Sequence, residues 1–528
     1  MMNFKRGADV RTSILKGMFA RLRTGGRDES GAAAIIFAMA LVLLAPLTLG
    51  VFDVYIGANQ RQKLQDALDA ATLFAARSSA QTSKDINEVG QRALLANLTS
   101  YPGASLVSSS FVLDGPKVVA SAEMKPMAVA TGFFQHANVK AGAEALRAMD
   151  RLEVALVLDN TGSMSGTKLS TLKTAAKDLV DKLESAGKRS TAKDPIQISL
   201  VPFSSTVRVA ENVSVKSYNT TTRTGPGIPN WLDSRALGHN AAGVDIFTTA
   251  NTDRFAVLKS MKNDQVWGGC VESRRQPYDV QDTAPFAADK DSYFVPYFAP
   301  DEPDTSSGWW SWNPNNYLND AITGDNWVRQ GNVAKYNNAT PSGGGPNNGC
   351  DLEPIMPLTT NMSNLKSAID SMNANGTTNI AMGLVWGWHT ISPNAPFANG
   401  VAYGTKNHRK IIILMTDGDN VDNALSNHNM SYYSGLGYIW QGLLGITSGN
   451  GTARRNVMND RLALLCENIK KKDIVLYTVR VEVKTGSSSL LKNCATDPDK
   501  FYDVQNVSQL GAAFDAIAGS IDNLRLTK

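Results

Sequence analysis

The chain contains short, continuous apolar runs that end in polar loops. Residues 154–158 (VALVL) are apolar throughout, and Lys410–Thr416 (KIIILMT) holds a second run of this kind. Such runs are too short to form a helix of their own and lack a polar face, which is typical of strands buried on both sides of a parallel sheet. A third strand is predicted over Ile196–Phe203. The chain therefore contains at least three predicted buried strands.

Amphipathic helices are predicted between and after these strands. Over Lys168–Glu184, apolar side chains recur at spacings of three and four residues, the pattern of a helix with one buried face. Another helix is predicted to begin at Ile380. Near the carboxyl end we predict helices at Val457–Lys470 and Ser508–Leu524 and strands at Ile474–Val481 and Phe501–Val504. This order predicts an α/β fold, with a Rossmann-like, mostly parallel sheet flanked by helices.

The amino-terminal region has the pattern of a membrane anchor. Residues 31–52 contain no charged side chain, and 22 residues at a rise of about 1.5 Å span about 33 Å, enough for a bilayer core. Residues 1–30 hold seven basic and three acidic side chains, which predicts a cytoplasmic amino terminus and a periplasmic or extracellular bulk. A cleaved signal peptide is the alternative, but its apolar run would be shorter.

The same basic segment accounts for the whole net charge of +4, so the rest of the chain is neutral and offers no nucleic-acid face. After the anchor, residues 53–150 are predicted to form a membrane-proximal helix over Gln60–Arg77 and a small β-containing module. Its hairpin would pair Ser109–Leu113 with Lys117–Met124 through Asp114-Gly115-Pro116. A larger region, residues 151–528, would hold the α/β domain.

Candidate ligands for a metal follow three of the predicted strands and loops. Asp159, Thr161 and Ser163 come directly after the first buried strand at the spacing D-x-T-x-S, Thr378 precedes the helix at Ile380, and Asp417 follows the strand ending at Thr416. Loops at the carboxyl ends of parallel strands meet at one edge of a sheet. Carboxylate and hydroxyl oxygens suit Mg²⁺, Ca²⁺ or Mn²⁺ better than zinc. The alternative for the first three residues alone is a turn followed by a helix cap.

These five residues, in this order, resemble the metal ion-dependent adhesion site of the von Willebrand factor type A domain. The resemblance implies one bound divalent cation, Mg²⁺ first and Ca²⁺ or Mn²⁺ as alternatives, held by Asp159, Thr161, Ser163, Thr378 and Asp417. It further implies a protein partner that offers an acidic side chain to the ion. Thr161 stands where the family more often has Ser; it keeps the hydroxyl, so the change bears on metal preference.

A second resemblance covers the amino-terminal region. The basic segment, the stretch SGAAAIIFA, the apolar span and the following KLQDALDAA are similar to TadE/TadG-like proteins of bacterial Flp (Tad) pilus assembly. The two resemblances together cover residues 28–77 and 150–528. TadE-type members are processed after a Gly that has Glu five residues later. Here Ile36 stands five residues after Gly31, so processing at Gly31 is not expected.

A long insert, at about residues 204–357, interrupts the predicted domain. It contains six of the nine tryptophans, including Trp309, Trp310 and Trp312 near Asp301, Asp304, Asn313 and Asn315. We interpret these rings as the core of a loop-rich lobe; a sugar-binding platform or a partner hot spot is the alternative. The insert also holds Cys270 and Cys350, while Cys466 and Cys494 lie in the last third. Pairing within each region is the simplest of the three arrangements, and free buried thiols are the alternative.

Three functions fit these patterns. The first is a non-enzymatic, membrane-anchored binding protein of a Tad pilus or secretion system that binds partner carboxylates through the ion. The second is an envelope scaffold in which the metal site is only structural. The third, a hydrolase using Ser163 or Ser165, is disfavoured because the chain has no G-x-S-x-G motif and its five histidines show no ligand spacing.

Overall fold

A computed structural model describes residues 29–78, 80, 82–99, 105–114, 117–126, 137–146, 151–188, 190, 192–241, 245–304, 314–321, 327–482 and 488–526 of the protein. The chain divides into two compact units, Met1–Arg147 and Ala148–Lys528. Residues 1–28 of the basic segment and the tryptophans Trp309, Trp310 and Trp312 lie outside the described residues, as does Asn313.

The first unit is built on one long helix, α1 (Glu29–Arg77), which includes Pro46 without interruption. Its part from Ala33 onward is long and apolar enough to cross a membrane, judged by length and composition. The predicted membrane helix (31–52) and the predicted membrane-proximal helix (60–77) are therefore one element. The membrane boundaries within it stay predictions.

The far half of α1 packs on α2 (Ser83–Leu98) and on an antiparallel sheet of β1 (Ser105–Asp114), β2 (Lys117–Lys125) and β3 (Val139–Leu146). The expected hairpin is present, with Asp114 opposite Lys117; residues 115 and 116 of its turn lie outside the described residues. One stripe of α1, which ends at Ala75, is buried, while the neighbouring Phe74 is exposed. The core of this unit contains Leu64, Leu68, Ala71, Ile86, Leu94 and Phe111.

The second unit contains a six-stranded sheet. Its strands are β4 (Arg151–Asp159), β5 (Ile196–Phe203), β11 (Met356–Thr359), β12 (His408–Thr416), β13 (Val475–Val481) and β14 (Phe501–Val504). They lie in the order β11-β5-β4-β12-β13-β14, and all neighbouring pairs are parallel except β11 with β5. The three strands predicted first, β4, β5 and β12, lie side by side in the centre of the sheet. This mixed α/β architecture confirms the predicted fold class.

Both faces of the sheet are covered, which explains the continuous apolar runs. Val154 and Leu156 of β4 face one layer, while Ala155 and Val157 face the other. The helices of the first layer are α3 (Thr167–Gly187), α7 (Met362–Ser371) and α11 (Leu510–Leu526), and those of the second are α8 (Ile380–Ile391), α9 (Gly451–Lys470) and α10 (Ser488–Cys494). The second layer also receives the insert.

The insert between β5 and β11 is loop-rich, as predicted, with short helices and two-stranded or three-stranded pieces. They are β6 (Val207–Arg208), β7 (Val213–Ser214), α4 (Leu237–Ala241), α5 (Arg254–Ser260), β8 (Val266–Trp267), β9 (Cys270–Glu272), β10 (Val295–Pro296) and α6 (Trp327–Gln330). Trp267 is fully buried in its core. Cys270 forms a disulfide with Cys350 inside the insert, and Cys466 forms one with Cys494 between α9 and α10.

Sequence analysis missed a second long connection, residues 417–450, between β12 and α9. It packs on the insert: Gly435 donates its backbone N–H to the Ser205 carbonyl, and the Ser273 N–H is donated to the Gly435 carbonyl. The Tyr433 hydroxyl also donates to the buried carboxylate of Glu272. The two connections thus form one lobe beside the carboxyl-terminal edge of the sheet.

Candidate functional site

Asp159 is the last residue of β4 and is fully buried. Its Oδ1 accepts the backbone N–H of Thr161 at 2.8 Å, and its Oδ2 accepts the hydroxyl of Thr416 at 2.6 Å. Thr416 ends the neighbouring strand β12, so the two strands together fix the orientation of this carboxylate. Thr416 is a residue that sequence analysis assigned only to the strand.

The hydroxyl groups of Thr161 and Ser163 connect Asp159 to the loop of Asp417. Thr161 Oγ1 lies 2.9 Å from Ser163 Oγ, and the Ser163 hydroxyl donates to Asp417 Oδ1 at 2.7 Å. A short 3₁₀ turn, Gly162–Met164, carries this loop into α3. Four of the five predicted residues, Asp159, Thr161, Ser163 and Asp417, are therefore joined by direct polar contacts at the ends of β4 and β12.

The loop of Thr378 is held against the other two by its backbone. Gly162 donates its N–H to the Gly376 carbonyl at 3.0 Å, and Val421 donates its N–H to the Thr378 carbonyl at 2.8 Å. Gly376 has φ +81°, and a Cβ there would lie 3.1 Å from Ser204 Oγ, so glycine is required at this point. Thr378 itself is buried. All three predicted loops thus meet at one edge of the sheet.

A cation of the chain lies in the same place. Lys168, in the first turn of α3, places Nζ 2.6 Å from Asp417 Oδ2 and 3.9 Å from Glu482 Oε2. Sequence analysis used Lys168 only to mark the start of the helix. The sequence did contain a signal for an acidic neighbour. A positive charge in the first turn opposes the helix dipole, so an acidic side chain is expected near it.

The electrostatics of the site favour an added positive charge. Burial raises the pKa of the Asp159 carboxyl to about 6; hydrogen bonds from Thr161 and Thr416 act against this, and the negative charge of Asp417 adds to it. Asp159 is thus a carboxylate whose ionised form costs free energy in the absence of a cation. A divalent ion close by would reverse that cost.

The chemistry of the donors fits a hard divalent cation. Asp159 and Asp417 would supply two negative charges, and Thr161, Ser163 and Thr378 would supply neutral hydroxyl oxygens, which is an all-oxygen set. Such an ion would act as a Lewis acid toward an additional oxygen ligand. Within the described part of the chain, no three His, Cys, Asp or Glu side chains gather as a metal-binding group, and the proposed set contains two carboxylates.

The comparisons with known proteins agree with the fold. The von Willebrand factor type A domain family matches residues 153–224, which contain the Asp159, Thr161 and Ser163 loop. Among curated proteins, none matches this chain.

Several solved structures are similar to this chain at low identity and low TM-score. The vWF domain of the type V pili tip protein Mfa5 from Porphyromonas gingivalis is 12% identical, with 72% of this chain and 97% of that chain covered and a TM-score of 0.32. The adhesive tip pilin GBS104 from Group B Streptococcus agalactiae is 10% identical, with 71% of this chain and 100% of that chain covered and a TM-score of 0.33. The pilus adhesin RrgA from Streptococcus pneumoniae is 11% identical, with 79% of this chain and 50% of that chain covered and a TM-score of 0.32. The identities and TM-scores are low, so these structures carry no inference about function.

Proposed function

We propose that this chain, which carries a von Willebrand factor type A domain, is a non-enzymatic, membrane-anchored binding protein of the bacterial envelope. The bulk would lie outside the cytoplasm, and the ion held by the three-loop site would bind an acidic side chain of a protein partner. The observation that carries the proposal is the meeting of Asp159, Thr161, Ser163 and Asp417, with the Thr378 loop, at one sheet edge.

The chemistry of the ion gives the partner its class. Two carboxylates would balance a divalent charge, while hydroxyls and water add none, so the ion would keep its attraction for one more anionic oxygen. Mg²⁺ is the first candidate, and Ca²⁺ and Mn²⁺ are the alternatives. A carboxylate from another protein would supply such an oxygen, and neither protein would undergo a chemical reaction. The proposed role is therefore adhesion.

The apolar helix and the amino-terminal pattern support the cellular setting. Large apolar side chains between Ile35 and Tyr55 are exposed along α1, which suits a helix surrounded by lipid. The sequence similarity of residues 28–77 to TadE/TadG-like proteins points to a Tad pilus assembly or secretion system. The partners would then be other pilus or envelope proteins.

A scaffold function is the second candidate, and one observation favours it. Ser163 and Lys168 already donate to both oxygens of Asp417, so the three loops are connected by the chain's own groups. In that case the metal would only stabilise the fold, and the anchor would carry the function. The two candidates differ in whether the function of the protein in cells depends on the bound ion.

Metal binding is tested first, on the full-length protein in detergent micelles after treatment with EDTA. Mg²⁺ and Mn²⁺ are titrated calorimetrically and by melting temperature into the wild type, Asp159→Asn and the control Asp178→Asn, an exposed aspartate on α3. We expect binding in the wild type and control only. An identical response in Asp159→Asn would refute the site.

The role of the ion is tested in cells. A strain in which Thr378→Ala abolishes metal binding in the purified protein is compared with the wild type for pilus assembly and for proteins co-purified after crosslinking. Loss of the crosslinked partner, with normal amounts of the variant in the membrane, is the result expected for adhesion. Normal assembly with the same partners would favour the scaffold.

A further inference from the structure

Lys168 is a cation built into the three-loop site. Its Nζ donates to Asp417 Oδ2 at 2.6 Å, and the Asp417 side chain is fully buried while that of Lys168 is 26% exposed. The other oxygen of Asp417 accepts the Ser163 hydroxyl at 2.7 Å. The carboxylate of Asp417 therefore accepts hydrogen bonds both from Ser163, a proposed metal ligand, and from the ammonium group of Lys168.

The helix gives no reason for a lysine at this position. Lys168 is the second residue of α3, where the helix dipole is positive and the first turn has no acidic residue. The compensation comes from Asp417 and Glu482, which follow two adjacent parallel strands, β12 and β13. Lys168 is thus held by the site and not by its own helix.

Glu482 offers the ammonium group a second position. Its Oε2 lies 3.9 Å from Lys168 Nζ, while its Oε1 accepts the Val507 N–H at 3.0 Å and its own N–H is donated to the Val504 carbonyl at 2.8 Å. These bonds fix the Glu482 carboxylate and direct one oxygen to Lys168. A lysine that left Asp417 would therefore find a fixed acceptor within a short movement of its flexible chain.

A divalent ion held by these donors would compete with the ammonium group of Lys168 for Asp417. Two positive groups on the same carboxylate repel each other, and the repulsion is strong where water is partly excluded. We propose that Lys168 is an exchangeable counter-ion of the site: it neutralises Asp417 without metal and transfers to Glu482 when a divalent cation binds. This inference rests on the proposed function, since it presupposes that the site takes a metal.

The exchange makes the metal affinity lower than the donors alone would give. In the metal-free site, the ammonium group offsets the repulsion between the carboxylates of Asp159 and Asp417.

The test uses full-length protein in detergent micelles, treated with EDTA and titrated with Mn²⁺, with free Mn²⁺ read by electron paramagnetic resonance. The variants are Lys168→Met, Glu482→Gln and the control Lys173→Met, a lysine on α3 that donates to the Asp370 carbonyl. Melting in EDTA is recorded for each.

Lys168→Met is expected to bind Mn²⁺ about fivefold more tightly, the equivalent of one ion pair, and to melt at a lower temperature than the wild type in EDTA. Glu482→Gln is expected to bind Mn²⁺ more weakly, because the displaced ammonium group has no second carboxylate. Lys173→Met should behave as the wild type. If Lys168→Met does not fold, Lys168→Gln carries the same expectation.

The possible results distinguish the exchange of Lys168 from the metal binding on which it rests. Equal or weaker Mn²⁺ binding by Lys168→Met overturns the exchange and leaves the proposed function standing, because the metal still binds. An unchanged melting temperature of Lys168→Met in EDTA overturns the counter-ion role without reference to metal. Absence of Mn²⁺ binding to the wild type overturns both the exchange and the metal-dependent function.

Discussion

The hydroxyl of Ser163 donates to Asp417 Oδ1 at 2.7 Å, although 254 residues separate them in the chain. The contact follows from the sheet: β4 and β12 are parallel neighbours in which Leu158 lies opposite Met415, so the loops after them begin side by side. A hydroxyl in one loop and a carboxylate in the other are therefore positioned by strands that are buried except at their first residues. The geometry of this pair depends on the core and not on the loops alone.

Ser163→Ala is expected to weaken Mn²⁺ binding by about tenfold or more, while the melting temperature in EDTA falls only by the loss of one hydrogen bond. The variant removes one proposed ligand and the hydrogen bond to Asp417, but Ser163 is exposed, so little packing is lost. Calorimetric titration of the EDTA-treated protein measures the change.

The matched control is Ser165→Ala, two residues along the same loop. Its hydroxyl donates to the Gly162 carbonyl and it lies outside the D-x-T-x-S spacing. Mn²⁺ affinity should stay within about twofold of the wild type. If both serine variants lose affinity equally, the loop as a whole and not Ser163 is responsible.

Gly387→Ala is expected to destabilise the protein by about 1–3 kcal/mol. Gly387 lies on α8, and a Cβ built there would be 2.3 Å from Val157 Cγ2 of β4, so the helix would have to move away from the central strand. Chemical denaturation followed by tryptophan fluorescence measures the loss. The combination with Val157→Ala should recover part of it, because the obstructing methyl group is removed.

The control for that substitution is Gly519→Ala on α11, where a Cβ meets nothing within 4 Å. There the higher helix propensity of alanine should stabilise the protein by up to about 1 kcal/mol. A loss of similar size at both positions would show that glycine is needed for the helix backbone and not for contact with the sheet.

The central strands and the polar residues after them could be predicted because each rests on a local signal. The apolar runs of β4 and β12 identify buried strands, and parallel strands bring their following loops to one edge. The position of Lys168 could not be predicted in this way. A long flexible side chain reaches several acids, and its choice of Asp417 depends on the order of β4, β12 and β13 in the sheet. The lobe made by the insert and residues 417–450 is held by long-range contacts such as Tyr433 with Glu272, which leave no periodic pattern in the sequence.

Removing the second disulfide by Cys466→Ala with Cys494→Ala is expected to lower the free energy of unfolding. The bond closes a separation of 28 residues and its cysteines are buried, and the chain-entropy model gives on the order of 3.6 kcal/mol for such a loop. Thermal melting of the double variant and the wild type, both without reductant, measures the contribution. A double variant that melts with the wild type would contradict the expected effect of loop closure.

The insert contains a carboxyl group whose protonation should affect stability. Glu302 is fully buried; its Oε1 accepts the Tyr438 hydroxyl at 2.7 Å and its Oε2 accepts the Asn315 N–H at 3.2 Å. Burial raises the pKa of this carboxyl to about 7, although the hydrogen bonds from Tyr438 and Asn315 oppose the shift. Between about pH 4.5 and pH 7, the folded protein therefore holds a proton on Glu302 that the unfolded chain, with an ordinary pKa near 4.5, releases.

Because the folded state binds this proton more tightly, its stabilising contribution is complete below about pH 4.5 and is lost as the pH rises through about 7. Glu302→Gln keeps an acceptor for Tyr438 and never ionises, so its stability relative to the wild type should increase from pH 5 to pH 8, by up to about 3 kcal/mol. Melting temperatures across this range, with the exposed Glu467→Gln as control, measure the difference. A wild type and Glu302→Gln that change in parallel with pH would mean that Glu302 is already ionised in the folded lobe at pH 5. Its charge would then have to be neutralised by the surrounding donors, and the pH dependence of the protein would have to come from other groups.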